Sequence, residues 1–241
     1  MPKIGPSLRA LAPLALVMPA AALAQASQCA LPAQIARPQV EGPTADEPRR
    51  VLPIGSYTLA ISWSPQYCAG AAGRKDDFQC SGRHGRFGFT LHGLWPDGYG
   101  KQWPQYCKPA APLPRKVIRD HLCSTPSVQL IQHEWVKHGT CMPTTPARFF
   151  AQSRQYYKAL RYPDMAALAA RPGITAGAFA EAFAAANKGL LRADMMRVTA
   201  TRDNRLSEVW LCMDRKLHYT RCPAHQGGVS PQTMLKIAPP A

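Results

Sequence analysis

The sequence predicts an α+β fold: a central antiparallel sheet packed against several helices and stabilised by disulfides. Two strand-like regions lie on either side of a helical middle, a segregated order that argues against alternating βαβ units. Eight cysteines, at 29, 68, 80, 107, 123, 141, 212 and 222, follow an apolar leader. Their even number behind such a leader reads as up to four disulfides. No two of them are two or three residues apart, so the zinc-ribbon spacing is absent.

Taken in order, residues 1–24 read as a secretory signal peptide. Lys3 and Arg9 give a basic front, Leu11 to Ala22 is apolar, and Ala22-Leu23-Ala24 resembles a cleavage site. The run is too short, and too interrupted by Pro13 and Pro19, to span a bilayer. Nothing before Cys29 resembles a lipoprotein signal, so no membrane anchor is expected. Residues 25–55 form a proline-rich extension with little periodicity, tied down at Cys29 if that residue is paired. Ser56–Trp63, SYTLAISW, alternates and is rich in β-formers, which predicts a strand. Ser64–Gly85 reads as a loop, and Phe87–Leu91 as a short strand running into a turn at Gly93 and Pro96. Asp97–Pro114 is loop-like.

Helices are predicted over Arg115–Leu122 and Val128–His138, the second stopping at Gly139. Thr145-Pro146 opens a helix to about Leu160, with Thr as N-cap and Pro at the first position. Thr175 opens another over Ala176–Asn187, with Phe179 and Phe183 on its buried face. Ser207–Met213 and Leu217–Cys222 are predicted strands around a charged turn. The organisation expected is one catalytic domain over residues 56–225, with a loose Gly- and Pro-rich tail over 226–241.

The formal net charge of the 241-residue chain is +15. Such an excess suits a polyanion partner (nucleic acid, anionic lipid or acidic polysaccharide) as readily as it suits a solvated basic surface. Charge gains meaning only beside a site that handles phosphate. Two stretches supply one: GFTLHGLWP from Gly88 to Pro96, and HEWVKHGTC from His133 to Cys141. At a strand end His92 can face a cleft. On a helix, Glu134 and His138 are four apart, as are His133 and Lys137, so each pair shares a face. Two imidazoles can divide general-base and general-acid work near neutral pH. A lysine and a further histidine can neutralise a phosphorane. The rival reading of HEWVKH is a zinc protease. That chemistry needs histidines four apart, whereas His138 is five from His133, turned by more than a quarter of an α-helix's circumference.

These residues resemble the two active-site segments of the ribonuclease T2 family. Tyr67-Cys68, the strand EVWLCMD and the later Arg-Cys-Pro are similar to further family landmarks in the same order, so the resemblance covers Ser56 to Pro223. It implies a secreted endoribonuclease that cleaves single-stranded RNA by acid-base transesterification, through a 2′,3′-cyclic phosphate to a 3′-phosphate. The implied activity needs no metal or other cofactor and leaves DNA intact. Position by position, His92 and His138 match the acid-base pair, with His138 as base and His92 as acid. His133, Glu134 and Lys137 match the phosphate-site residues. Trp95 matches an aromatic that stacks on a base, Asp97 a base-contacting acid, and Tyr67 an aromatic of a second base site.

The chain departs from plant members at Ser62, where they carry Gln, and at Gln132, where they carry a half-cystine. Eight cysteines allow 105 pairings. Locality and the family suggest Cys68–Cys80, Cys107–Cys141 and Cys212–Cys222, which leaves Cys29 with Cys123. A monomer in the periplasm or outside the cell is expected. His84, His121, His218 and His225 read as structural, Trp63 and Trp210 as core, and Trp135 as inward-packing. Trp103 and Tyr106 read equally well as packed residues or as exposed stacking platforms. A binding protein without catalysis is the remaining alternative, and the full set of competent polar residues argues against it.

Overall fold

A computed structural model describes residue 1, residues 29–70 and residues 77–240. The signal-peptide assignment falls on residues 1–24, almost wholly outside the described residues. Four strands form one antiparallel sheet in the order β2-β1-β4-β3, with β1 Ser56–Trp63, β2 Phe89–Asp97, β3 Met196–Ala200 and β4 Leu206–Met213. β1 and β4 are the central strands. Leu59, Ala60 and Ile61 of β1 are fully buried, because both faces of the strand are covered.

The helices are α1 Ser64–Ala69, α2 Asp77–Cys80, α3 Arg115–His121, α4 Val128–His133, α5 Pro146–Ala159, α6 Met165–Ala170 and α7 Ala176–Ala186. The hydroxyls of Ser127, Thr145 and Thr175 each accept the backbone N–H three residues on, at the starts of α4, α5 and α7. These bonds satisfy donors that a helix N-terminus otherwise leaves open. Phe149 and Phe150 of α5 and Phe179 and Phe183 of α7 join Trp63 and Phe89 in the core. None of the helices is long and apolar enough to cross a membrane, among the described residues. Four disulfides brace the fold: Cys29–Cys123, Cys68–Cys80, Cys107–Cys141 and Cys212–Cys222.

The structure corrects five expectations. β2 does not stop at Leu91 for a turn; it runs through Gly93 and Pro96 to Asp97. As an edge strand it tolerates a proline, which has no N–H to give the ladder. The segment taken as one loop, Ser64–Gly85, contains α1 and α2. Leu217–Cys222 is not a strand: Leu217 has φ 64°, and only the bridge Met213↔Tyr219 forms. The tail is not loose. Leu235 and Ile237, two apart, are buried against the core, and single bridges join Met234 to Thr175 and Lys236 to Arg205. The Val128–His138 helix changes type midway, which bears directly on the site.

Candidate active site

Two local irregularities aim the site's side chains. β1 pairs Ala60 with Gly93 but Ile61 with Leu91, so His92 is the extra residue of a β-bulge. A bulge re-aims a side chain out of the strict alternation of a strand, and here it turns His92 into the cavity. Beyond α4, residues Glu134–His138 form a π-helical turn, closed where the N–H of Gly139 reaches the carbonyl of Glu134. An α-helix would swing His138 about 140° away from His133 over five residues. The π-turn's wider i→i+5 pattern narrows that angle, and the two rings lie with centroids 6.4 Å apart. The α-helical premise used above against a zinc protease therefore does not hold in this segment. Among the described residues, no group of three His, Cys, Asp or Glu side chains is arranged to hold a metal ion.

His92, Trp95, Asp97, His133, Glu134, Lys137 and His138 all line one cavity of about 470 Å³. Tyr67, 39% exposed, lines a second cavity of about 510 Å³ on the other side of His92, with Ser62 and Gln66. Asp97 accepts a hydrogen bond from Thr58 Oγ1 at 2.7 Å. Burial pushes the Asp97 carboxyl up to about 6, against the opposing effect of that bond. The Trp95 indole N–H donates to Glu134 Oε2 at 2.8 Å. The face of the same ring stacks on His138 at 5.5 Å, and its plane meets His92 nearly edge-on at 5.1 Å. One tryptophan therefore contacts both imidazoles.

The two imidazoles have opposite surroundings. His92 Nδ1 is 2.6 Å from Glu208 Oε1, and Nε2 is 3.5 Å from Glu134 Oε1. Burial disfavours the charged ring, but the Glu208 hydrogen bond and the charges of Glu134 and Glu208 outweigh it and raise the pKa. His138 is buried, and its Nδ1 has no hydrogen-bond partner. Burial first, then the charges of Lys137, His133 and His92, hold its pKa well below the ordinary histidine value. Glu134 is 1% exposed, and burial pushes its carboxyl up to about 7 even though His92 and Trp95 favour the anion. Gly93 makes this packing possible. A Cβ there would stand 1.7 Å from Glu134 Oε2.

The N-terminal extension contacts two residues of that cavity. Glu41 Oε2 is 3.0 Å from His133 Nδ1, and Lys137 Nζ donates to Glu47 Oε1 at 2.5 Å. The Tyr106 hydroxyl supports Glu47 from the far side at 3.0 Å. Burial lowers the His133 pKa, although Glu41 acts in the opposite direction.

Sequence reasoning missed Glu41, Glu47 and Glu208, and it placed Trp210 in the core. Trp210 lines the cavity, its indole donating to Glu208 Oε2 at 2.8 Å. A signal for this pair existed. Glu208 and Trp210 are two apart on β4, so they share the face opposite Val209 and Leu211. No local signal marks Glu41 or Glu47, which lie in irregular chain. His225, read as structural, also lines the cavity. Trp103 and Tyr106 divide: Trp103 is 42% exposed at the cavity wall with Arg50 over its ring at 4.8 Å, whereas Tyr106 is buried.

The chain is similar to known proteins both in sequence and in fold. The model of the Ribonuclease T2 family matches residues 54–222. A probable ribonuclease of Haemophilus influenzae is 33% identical over 124 residues, covering 46% of this chain and 45% of that protein. A ribonuclease of Aeromonas hydrophila is 41% identical over 85 residues, 35% of this chain and 36% of its own length. The chain thus matches less than half the length of these curated relatives. Among solved structures, RNase NT in complex with 5′-AMP superposes with a TM-score of 0.58 at 20% identity, over 78% of this chain and all of the other. Trichomaglin, described as an S-like ribonuclease, gives 0.60 at 18% identity, over 78% of this chain and 98% of its own. At such identities the likeness is one of fold.

Proposed function

The chain belongs to the ribonuclease T2 family, and on that premise we propose that it is an endoribonuclease cleaving single-stranded RNA by acid-base transesterification at the cavity around His92 and His138. The observation that carries this reading is the opposite electrostatic setting of two imidazoles on one cavity. His138, kept neutral by burial, takes the proton of the ribose 2′-OH. The 2′ oxygen attacks the adjacent phosphorus, and the bond from phosphorus to the 5′ oxygen breaks. His92, charged chiefly through its hydrogen bond with Glu208, gives its Nε2 proton to that leaving oxygen. The products are a 2′,3′-cyclic phosphate and a free 5′-OH. In the return step His92 takes a proton from a water whose oxygen attacks the phosphorus, the bond from phosphorus to the 2′ oxygen breaks as His138 protonates that oxygen, and a 3′-phosphate remains.

His133 and Lys137 bind the phosphate, and Lys137 offsets the charge that develops on the phosphorane. Glu134 acts beside them without repelling the phosphate, because a carboxyl titrating at about 7 is largely protonated in weakly acidic solution and can donate a hydrogen bond. Its Oε1 has no hydrogen-bond partner in the protein and lies 3.5 Å from His92 Nε2. Trp95 and Asp97 take one base, and Tyr67, across His92, takes the other. Bases must leave a duplex stack to reach either cavity, which favours single strands. The four disulfides suit an oxidising compartment, so we read the site of action as the periplasm or beyond.

The test is digestion of single-stranded RNA and single-stranded DNA with a strong chelator present. RNA should be cut to fragments ending in 2′,3′-cyclic phosphate, and DNA should survive because it lacks the nucleophile. Cleavage of both, or of neither, overturns the reading, and loss of cutting with chelator turns it towards a metalloenzyme.

A further inference from the structure

We propose that Glu208 is the positioning residue of His92, fixing its ring and tautomer so that Nε2 carries the proton delivered to the leaving oxygen. This rests on the transesterase reading above. Glu208 touches no part of the cavity's phosphate cluster; it acts through His92.

Both oxygens of the carboxylate are held. Oε1 accepts from His92 Nδ1 at 2.6 Å and from the Ser62 hydroxyl at 2.6 Å. Oε2 accepts from the Trp210 indole at 2.8 Å. The backbone N–H of Glu208 donates to Thr199 Oγ1 at 3.0 Å. Ser62 and Thr199 are its register partners on β1 and β3, so β1 holds the carboxylate and β3 the backbone of the same residue. The bulge that turns His92 inward is on the fourth strand. All this is sheet, not loop, and rigid elements hold such geometry best.

Two donors already satisfy the Glu208 carboxylate, and its bond with His92, reinforced by Ser62 and Trp210, lowers its own pKa against the effect of burial. It is therefore an acceptor, and Nδ1 of His92 must carry hydrogen. The neutral ring is then forced into the Nδ1–H tautomer, with Nε2 turned to the cavity as the only nitrogen free to gain and lose a proton. Ser62 has a part in this. A glutamine there, as in plant members, would replace a short hydroxyl donor to Glu208.

Several ionisable groups face His92. Glu208 comes from β4, while Glu134, Lys137 and His138 come from the turn that follows α4. Glu134 and Glu208 favour the charged ring, and Lys137 opposes it. Losing the Glu208 charge leaves burial and Lys137 opposed only by Glu134, so the acid should deprotonate at lower pH.

The experiment compares Glu208→Gln with wild type on RNA and on a nucleoside 3′-(p-nitrophenyl phosphate), whose leaving group needs no proton. On RNA, kcat should fall about 10²-fold, the low end of an acid-base contribution, with KM unchanged. The alkaline limb of the kcat/KM profile should move to lower pH. The loss on the p-nitrophenyl ester should be much smaller, and in a His92→Ala background Glu208→Gln should cost nothing further. Unaltered activity overturns the proposal. So does an equal loss on both substrates with an unmoved limb, the mark of a merely structural residue. Should the variant fail to fold, nitrogen-15 NMR of the wild-type protein decides: neutral His92 must show hydrogen on Nδ1, and the Nε2–H tautomer refutes the proposal. That spectrum does not depend on turnover, so it separates failure of this inference from failure of the transesterase reading.

Discussion

His92 and His138 lie against the same tryptophan ring, yet the chain surrounds them in opposite ways. His92 comes from a strand edge and meets a carboxylate at each nitrogen. His138 comes from a π-turn, is buried, and leaves Nδ1 without any partner. Identical side chains are thereby driven to opposite charge states, one towards imidazolium and one towards neutral imidazole. Diverging environments of this kind are what separate an acid from a base at one pH. A histidine pair read from sequence alone is symmetric, and the asymmetry comes wholly from what packs around it.

The largest test of that contrast removes the rings themselves. His138→Ala and His92→Ala should each lower turnover on RNA by roughly 10²–10⁴-fold while thermal melting shows a folded protein. The pH profile shows which ring does which job. A base with a depressed pKa is lost only well below the ordinary value of 6.5, and an acid with a raised pKa only above it. The kcat/KM profile should therefore be a broad bell with limbs on either side of 6.5. Limbs that meet near 6.5 would show the two settings to be alike. The apparent values belong to the coupled cluster, since the Glu134 carboxyl, pushed up to about 7, lies 3.5 Å from the His92 ring.

Gly93→Ala comes next. The added Cβ would fall 1.7 Å from Glu134 Oε2 and 2.7 Å from the Trp95 indole nitrogen, so strand and carboxylate must part. Misplacement on this scale is expected to reduce kcat about 10²-fold, and overpacking to cost about 1–3 kcal/mol of stability. Wild-type kinetics from this variant would show that the Glu134–Trp95 contact does not set the geometry around either histidine.

The parts of this molecule differed in how legible they were. β1 was readable because Tyr57, Thr58, Ile61 and Trp63 put strong β-formers through an eight-residue alternating stretch. The starts of α5 and α7 were readable because Thr145 and Thr175 are chemical caps. β3 was not, being five residues whose pairing to β4 is decided by tertiary contact. His92, His133, Glu134, Lys137 and His138 stood out in two short motifs, but the bulge at His92 and the π-turn after His133 did not. Both depend on hydrogen bonds to partners that spacing cannot reveal. The extension read as featureless because it lacks periodicity, and yet its two glutamates end beside His133 and Lys137.

A third, smaller effect concerns how the π-turn is held. Cys107–Cys141 and the bond from the Tyr106 N–H to the Lys137 carbonyl, at 2.9 Å, tie the loop after β2 to the end of that turn. Their sequence separation is 34 residues, and closing such a loop is worth about 3–4 kcal/mol in the chain-entropy model. Cys107→Ser with Cys141→Ser should lower the melting temperature and reduce turnover less than Gly93→Ala does. If stability falls but turnover at low temperature does not, the bridge acts on the unfolded chain alone and has no part in holding His138.

The smallest effect tests whether the contrast extends to the cations. On the reading proposed above, His92 keeps its carboxylate partner Glu208 during turnover, whereas a phosphate at Lys137 competes with Glu47. Glu47 is a competitor, where Glu208 is a support. The pair is partly solvated, so its worth is at most about 1 kcal/mol, roughly a fivefold change in an equilibrium. Glu47→Gln should therefore lower KM for RNA by up to that factor, most clearly at low salt, with kcat little changed. The sign with pH follows from the lowered pKa of Glu47, whose first cause is its hydrogen bond with Lys137. Any stability the pair adds is present above the ordinary carboxylate value of 4.5 and is lost as pH falls through the lower folded value. Protonated Glu47 releases Lys137 in the wild type as well, so the KM advantage of the variant should close as the solution becomes strongly acidic. A KM that rises in Glu47→Gln would mean that Glu47 orients Lys137 rather than competing for it, and the two carboxylates would then both be supports, Glu208 of a histidine and Glu47 of a lysine.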